Sequence, residues 1–276
     1  MDRIDRVAVP FDRAPGDATN AYVVGSADAL LVDPAGVTDE LNHAVRERSV
    51  RHVVVTHAHP DHVGGVAEYA DALGATVWCR AGRTGRFERA TGVAPDETFR
   101  EGTELPVADG VTVLDTPGHA PDHVAFRVGD DLLVGDLAVA EGSVAVTAPE
   151  GDMRAYFTAL RRLHAAGATR LLPGHGPSID RPREAIERLL SHRRDREQRV
   201  VAAVRDGART VDEVLDAAYD KDLTGVRALA AGTVEAHLAK LVVEGAVRRE
   251  GDRVRSVEAS GSGIRGRYCA SGTAIW

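Results

Sequence analysis

The chain reads as an α/β protein of layered, mixed architecture. Short β-type runs recur through residues 1–175, helical patterns lie between several of them, and after Gly174-His175-Gly176-Pro177 the texture becomes helical and charged. Strands interleaved with helices indicate sheets covered by helices. At 276 residues and 43% hydrophobic content, the chain can bury a full core, enough for one large domain or one and a half.

The β-type runs are Val7–Val9, Tyr22–Val24, Leu30–Val32, Val53–Thr56, Thr76–Cys79, Val111–Leu114, Val124–Val128, Leu132–Val134 and Leu171–Leu172. Each is a short apolar stretch of the kind that fits a pleated, covered surface. Helical patterns fall at Thr38–Arg48, Gly64–Leu73 and Met153–Ala166. One long charged helix is expected from Arg181 to about Asp206, then helices near Val211–Tyr219 and Ala228–Glu244. A β-type pair follows at Val247-Arg248-Arg249 and Val254-Arg255-Ser256, joined by Glu250-Gly251-Asp252-Arg253. Helix, helix, helix, hairpin is the order of a winged-helix module. The expected organisation is a catalytic domain over 1–179, a winged-helix-like domain over 180–258, and a Gly- and Ser-rich tail, 259–276, expected to be disordered.

Net charge is −8, unevenly spread. Residues 1–179 carry 26 acids against 16 arginines and no lysine, whereas residues 180–276 are slightly basic. Bulk attraction to nucleic acid is therefore not expected of the first part. No apolar stretch is long enough to span a membrane. The opening Met1-Asp2-Arg3-Ile4-Asp5-Arg6 carries both signs of charge and no apolar core, unlike a secretory signal. The cysteines, Cys79 and Cys269, lie far apart and suggest no disulfide framework, which fits a cytoplasmic protein.

The most informative stretch is Thr56-His57-Ala58-His59-Pro60-Asp61-His62, directly after Val53-Val54-Val55. Three histidines and a carboxylate are good ligands for zinc or a similar divalent cation. So tightly packed, they cannot all face one ion, but they can serve two. His59 and His57 can grip one, and Asp61 and His62 its neighbour. Three further apolar runs end in ligand-type residues: His119 after Val113-Leu114, Asp136 after Leu132-Leu133-Val134, and His175 after Leu171-Leu172. Glycine and proline beside His119 and His175 make tight turns that aim each ring back at the shared edge. Asp136 has two oxygens and can bridge both ions.

His57-x-His59-x-Asp61-His62, followed by His119, Asp136 and His175, resembles the signature of the metallo-β-lactamase fold superfamily. The resemblance covers about residues 5–178 and implies a four-layer αβ/βα sandwich with its site at one edge of two sheets. It implies His57, His59 and His119 on a first zinc, Asp61, His62 and His175 on a second, and Asp136 shared. The whole chain is similar to the lactamase-β-2-like group, glyoxalase-II-like hydrolases with a C-terminal winged-helix region; Ser191–Gln198 resembles that group's linking helix. Cysteine commonly stands at the position of Asp136 in true β-lactamases, so Asp136 points to the glyoxalase-II-like and nuclease-like hydrolases. The flavodiiron branch has Glu where His59 stands, which disfavours iron redox chemistry. Zinc is expected, with iron or manganese also accepted at such sites. In this scheme a water held between the two ions is acidified toward neutrality and attacks a carbonyl or phosphoryl group, and Asp61 orients it.

Other residues carry plainer expectations. His123, four past His119, hydrogen-bonds behind the ligands or in the core. His43, His52, His164, His192 and His237 are helix-surface or packing residues. Asp33 supports the site, and Gly64-Gly65 lets a helix start pack close to the ligand loop. Arg80, Arg83, Arg86 and Arg89 recur every third residue, as on a solvated helical face rather than an anionic substrate path.

The function expected is a dinuclear zinc hydrolase acting on a small ester or thioester, or on single-stranded RNA. The alternative is a DNA-binding regulator whose metal domain senses a ligand. The helix at Ala228–Glu244 argues against DNA, since Glu235 and Glu244 offset Lys240. A covering role beside the site or a homodimer contact suits it better. No membrane partner is expected.

Overall fold

The structure, a computed structural model, describes residues 4–12, 14–107 and 110–257. The expected tail 259–276 and Cys269 lie outside the described residues.

The first sheet holds six strands in sequence order: β1 (Ile4–Pro10), β2 (Ala18–Val24), β3 (Ala29–Val32), β4 (Val50–Val54), β5 (Thr76–Arg80) and β6 (Glu97–Phe99). β1 to β3 pair antiparallel, and β3 to β6 pair parallel. The parallel strands need crossovers. These are α1 (Asp39–Arg46), the pair α2 (Pro60–Val63) and α3 (Val66–Leu73), and α4 (Thr84–Thr91). The second sheet contains β7 (Glu104–Leu105), β8 (Val111–Asp115), β9 (Val124–Val128), β10 (Asp131–Gly135) and β11 (Arg170–Pro173), in the order β11-β10-β9-β8-β7. Its one parallel pair, β10 with β11, is crossed by α5 (Met153–Ala165).

Strand alternation sorts these side chains into three layers of core. Tyr22, Val24, Leu30, Val32 and Val54 face Val111, Val113, Phe126 and Leu133 between the sheets. Val23, Leu31 and Val53 point the other way, against Leu41, Val45, Val66, Tyr69 and Phe87 of the helices. Leu132, Val134 and Leu171 pack outward on Met153, Tyr156, Leu160, Ile186 and Leu189. The result is the expected helix–sheet–sheet–helix sandwich. With both faces covered, strands such as β3 read as unbroken apolar runs rather than alternating ones.

The remainder is α6 (Pro182–Arg205), α7 (Val211–Ala218), α8 (Arg227–Val243) and the hairpin β12 (Val247–Glu250) and β13 (Arg253–Ser256). Thr210 caps α7 with a reciprocal Glu213 contact. The first half of α6 buries Ala185, Ile186, Leu189 and Leu190 against the sandwich, while its second half buries Val200, Ala203 and Val204 with α7, α8 and the hairpin. Among the described residues, no helix is long and apolar enough to cross a membrane.

Candidate metal centre

Four strands, one from the first sheet and three from the second, run out at the same edge. The ligand loop leaves β4 through Thr56 and His57 and turns into α2. Pro60 at the first helical position loses nothing there, because that N–H has no intrahelical partner. His119 follows β8, Asp136 follows β10, and His175 follows β11. All seven expected residues come together. Their ligand atoms form three overlapping groups: His57–His59–His119, His57–His62–Asp136 and Asp61–His62–His175, with atoms within 4.8 Å of one another in each.

The hydrogen bonds behind the rings fix which nitrogen carries the proton. The Thr56 hydroxyl donates to Asp33 Oδ2 at 2.7 Å, and its backbone N–H donates to Asp33 Oδ1 at 2.6 Å. With that proton committed, Thr56 Oγ1 accepts from His57 Nδ1 at 3.1 Å. His62 Nδ1 donates to Asp33 Oδ2 at 2.9 Å. His59 Nε2 faces Glu150 Oε2 at 3.2 Å, His119 Nδ1 faces the Ala145 carbonyl at 2.6 Å, and His175 Nδ1 faces the Ala18 carbonyl at 2.9 Å. Each ring donates outward to an oxygen, so its other nitrogen offers a lone pair to the centre. Three of these crowd together, His59 Nδ1 lying 2.9 Å from both His57 Nε2 and His119 Nε2. Lone pairs so close repel unless a cation or a proton sits among them.

Asp136 lies across the remaining space. Its Oδ2 is 3.6 Å from His119 Nε2, and its Oδ1 is 3.3 Å from His175 Nε2 and 3.6 Å from His62 Nε2. Asp61 Oδ2 is 3.4 Å from His175 Nε2. Asp136 Oδ1, His62 Nε2 and His175 Nε2 are buried without a hydrogen-bond partner. Unpartnered buried polar atoms are costly, and three of them converging here suit a divalent cation.

The residues that complete a metallo-β-lactamase pattern thus share one geometry. The family model for the metallo-beta-lactamase superfamily matches residues 14–175. This chain belongs to that superfamily. A beta-lactamase-like protein 2 homolog from Caenorhabditis elegans is 30% identical over 83% of this chain and 80% of its own length. Hydroxyacylglutathione hydrolase from Methylococcus capsulatus is 36% identical over 69% of this chain and 75% of its own. The crystal structure of a metallo-beta-lactamase family protein from Thermus thermophilus covers 92% of this chain and 98% of that one, with a TM-score of 0.76 and 26% identity. That match extends past the sandwich into α6–α8.

The surroundings tune the centre. Burial and neighbouring imidazoles push His57 well below the ordinary histidine range, and burial lowers His119. Burial opposes charge on His62 and His175 too, but carboxylates outweigh it. Asp33 and Asp136 hold His62 well above the usual range, and the nearby carboxylates of Asp136 and Asp61 bring His175 up to about 9. Asp136 stays well below the carboxylate range despite burial, owing to His62 and His175. The half of the centre containing Asp136 therefore attracts positive charge, whether protons or metal.

His123 fills the supporting role expected of it. It is fully buried, accepts from the Asp136 backbone N–H at 3.1 Å through Nε2, and so donates through Nδ1 to Thr116 Oγ1 at 2.8 Å. Two glycines give the ligands room. A Cβ on Gly174 would lie 2.6 Å from Asp136 Oδ1, and one on Gly135, at φ +45°, 2.6 Å from Thr56 Oγ1. Gly64 and Gly65 press on the backbone of residues 34–36, the stretch after β3, rather than on the ligand loop expected.

The arginine series departs from expectation. Arg80 is still on β5, and α4 starts only at Thr84, so the four do not share one helical face. Arg80 pairs with Asp115, its Nε donating to Oδ1 at 3.0 Å. Arg86 donates to Asp122 Oδ1 at 3.0 Å and, through both terminal nitrogens, to Glu150. Only Arg83 and Arg89 are exposed. Glu150 and Asp122 were not among the expected site residues. Glu150 holds His59, with its own pKa drawn down to about 2, chiefly by Arg86. Asp122 accepts the Ala58 backbone N–H at 2.9 Å. Neither sits in a local pattern that would expose it; each is recognisable only by its partners.

Proposed function

We propose that this chain is a metal-dependent hydrolase of small acyl thioesters that works with two divalent cations, zinc first and iron or manganese as alternatives. The carrying observation is the set of five imidazoles whose outward N–H groups are all committed, so that their other nitrogens face the centre, with Asp136 Oδ1 orphaned beside those of His62 and His175. A nitrogen-rich, cysteine-free donor set with carboxylates suits zinc. His57, His59 and His119 would hold one cation, Asp61, His62 and His175 the other, with Asp136 shared. Bound cations there supply Lewis acidity and bring the pKa of water toward neutrality.

The chain's own side chains do the rest. Burial pushes Asp61 up, but His175 and His62 outweigh it and keep the carboxylate ionised. Ionised in this way, Asp61 would help hold the second cation and orient the attacking water. His123 holds the Asp136 backbone in place. A thioester asks little of the leaving-group side, since a thiol of pKa ~8.5 departs readily as the thiolate. The acidic balance of residues 1–179 and the similarity to a hydroxyacylglutathione hydrolase favour this over single-stranded RNA.

We propose residues 180–258 as a winged-helix-like module that walls one side of the site. A DNA-reading role gains little support. Lys240 pairs with Glu197 and Glu244, Arg249 with Glu235, and Arg227 with Asp216 and Asp212.

The test is a panel of a glutathione thioester, a β-lactam and a short single-stranded RNA, each with and without chelator, on protein of measured metal content. Chelator-sensitive thioester hydrolysis is expected. RNA cleavage in place of thioester hydrolysis would overturn the substrate class. Metal-loaded protein inert on all three would overturn the hydrolase reading.

A further inference from the structure

A pocket of about 300 Å³ lies between α6, the Tyr219–Ala230 stretch and the loop Ser143–Ala145. Its titratable lining is basic or phenolic: His192, Arg193, Arg196, Tyr219 and Lys221, with no carboxylate. That is unusual in a chain of net charge −8. Arg193 is 3% exposed; its Nη2 donates to the Val144 carbonyl, and its Nε has no partner. The partners of this side chain are that carbonyl and the Tyr156 ring, whose centroid lies 5.6 Å from the guanidinium carbon, rather than a carboxylate. The Arg196 guanidinium stacks 3.5 Å above the Tyr219 ring and donates through Nη1 to the Ala218 carbonyl. A planar, stacked guanidinium of this kind recognises carboxylate and phosphate well. Burial above all, with neighbouring cations, lowers both His192 and Arg196 against the pull of Asp195 and Asp220.

Two more features link the pocket to the reaction. Val226 and Leu229 line it and are 48% and 50% exposed, so it offers apolar surface beside its charge. Its loop wall includes Ala145, whose carbonyl holds the His119 ring. The pocket and the metal centre thus share one stretch of backbone.

We propose that this pocket binds the anionic end of the substrate's thiol half, a carboxylate or phosphate carried on a partly apolar arm; this rests on the thioester reading above. Two kinds of carrier supply that chemistry. Glutathione brings carboxylates, and 4′-phosphopantetheine brings a phosphate.

One acyl group is presented on glutathione, on 4′-phosphopantetheine and on uncharged N-acetylcysteamine. The expected result is a KM about tenfold lower for one anionic carrier than for the neutral one. Which anionic carrier is preferred identifies the source. Lys221 is exposed, so Lys221→Glu tests the charge without disturbing a buried contact. It should collapse that KM ratio to near one, and Lys221→Arg should restore it. Equal KM values on all three carriers, or a Lys221→Glu effect of the same size on each, would overturn the proposal. If no thioester is turned over, the thioester reading falls and the pocket is judged by calorimetry with free glutathione and free 4′-phosphopantetheine. Binding that Lys221→Glu abolishes supports it. Binding of neither, or only of a short single-stranded RNA, overturns it.

Discussion

The metal edge and the charged face of α8 use polar side chains in opposite ways. At the edge, Asp33, Thr56, Glu150 and two carbonyls use up the outward N–H groups of five histidines, so what faces inward is lone pairs and carboxylate oxygens. Around α8 the charges close on each other. Lys240 sits between Glu197 and Glu244, and Glu235 takes Arg249. One region is organised around something it must receive, the other around itself. Substitutions in the first should alter metal content and activity, whereas substitutions in the second should alter stability.

The sharpest way to break this contrast is Asp136→Ala. It should lower activity at least about 1000-fold and reduce bound metal, as read by elemental analysis beside turnover. Full metal content in that variant would end the shared-carboxylate assignment. Asp33→Ala comes next. Asp33 touches no reacting atom but orients His62 and, through Thr56, His57, so metal affinity should drop about 10–100-fold, measured by competition with a chromogenic chelator.

The pH response should be about tenfold per unit for each displaced proton. Without a cation, His62 and His175 have raised pKa values, His175 near 9, and so carry protons at neutrality. Cation uptake should release those protons, and affinity should fall as pH is lowered. Titration in weak buffer with an indicator dye reads the release; a pH-independent affinity between 6 and 8 would contradict it. Glu150→Gln should act more mildly, about tenfold or less on metal affinity, because the amide oxygen still accepts from His59 while the Arg86 pair weakens. The smallest effect on the centre is expected from Glu197→Ala, which should cost about 1–3 kcal/mol of stability in denaturant unfolding while metal stoichiometry stays at the native value.

The same contrast explains what could be read from the chain alone. The seven ligand-type residues stand just past apolar runs, and a strand end is a place where sequence position translates directly into spatial position. The α5 and α6 helices were legible for a similar reason, being long and strongly patterned. Glu150, Arg86 and Asp122 were not, since their contacts with the ligand loop and with each other span 91, 64 and 36 residues of chain. The recurrence of arginine every third residue misled because Arg80 belongs to a strand and the helix starts only after Arg83. Short strands such as β6, three residues held by one neighbour, carry too little pattern to stand out from a loop.

The continuity of α6 has its own consequence. Because one helix is rooted in the sandwich at Leu189 and in the C-terminal core at Val200, there is no joint at which the latter could pivot. Opening it would mean breaking consecutive i→i−4 bonds in the middle of a helix. The gap between the two bodies is thus a rigid gauge, and preference among ligands falls to the size and charge of the side chains that line it. Exchanging those side chains between relatives should therefore carry selectivity with them, without any need to transplant a moving part.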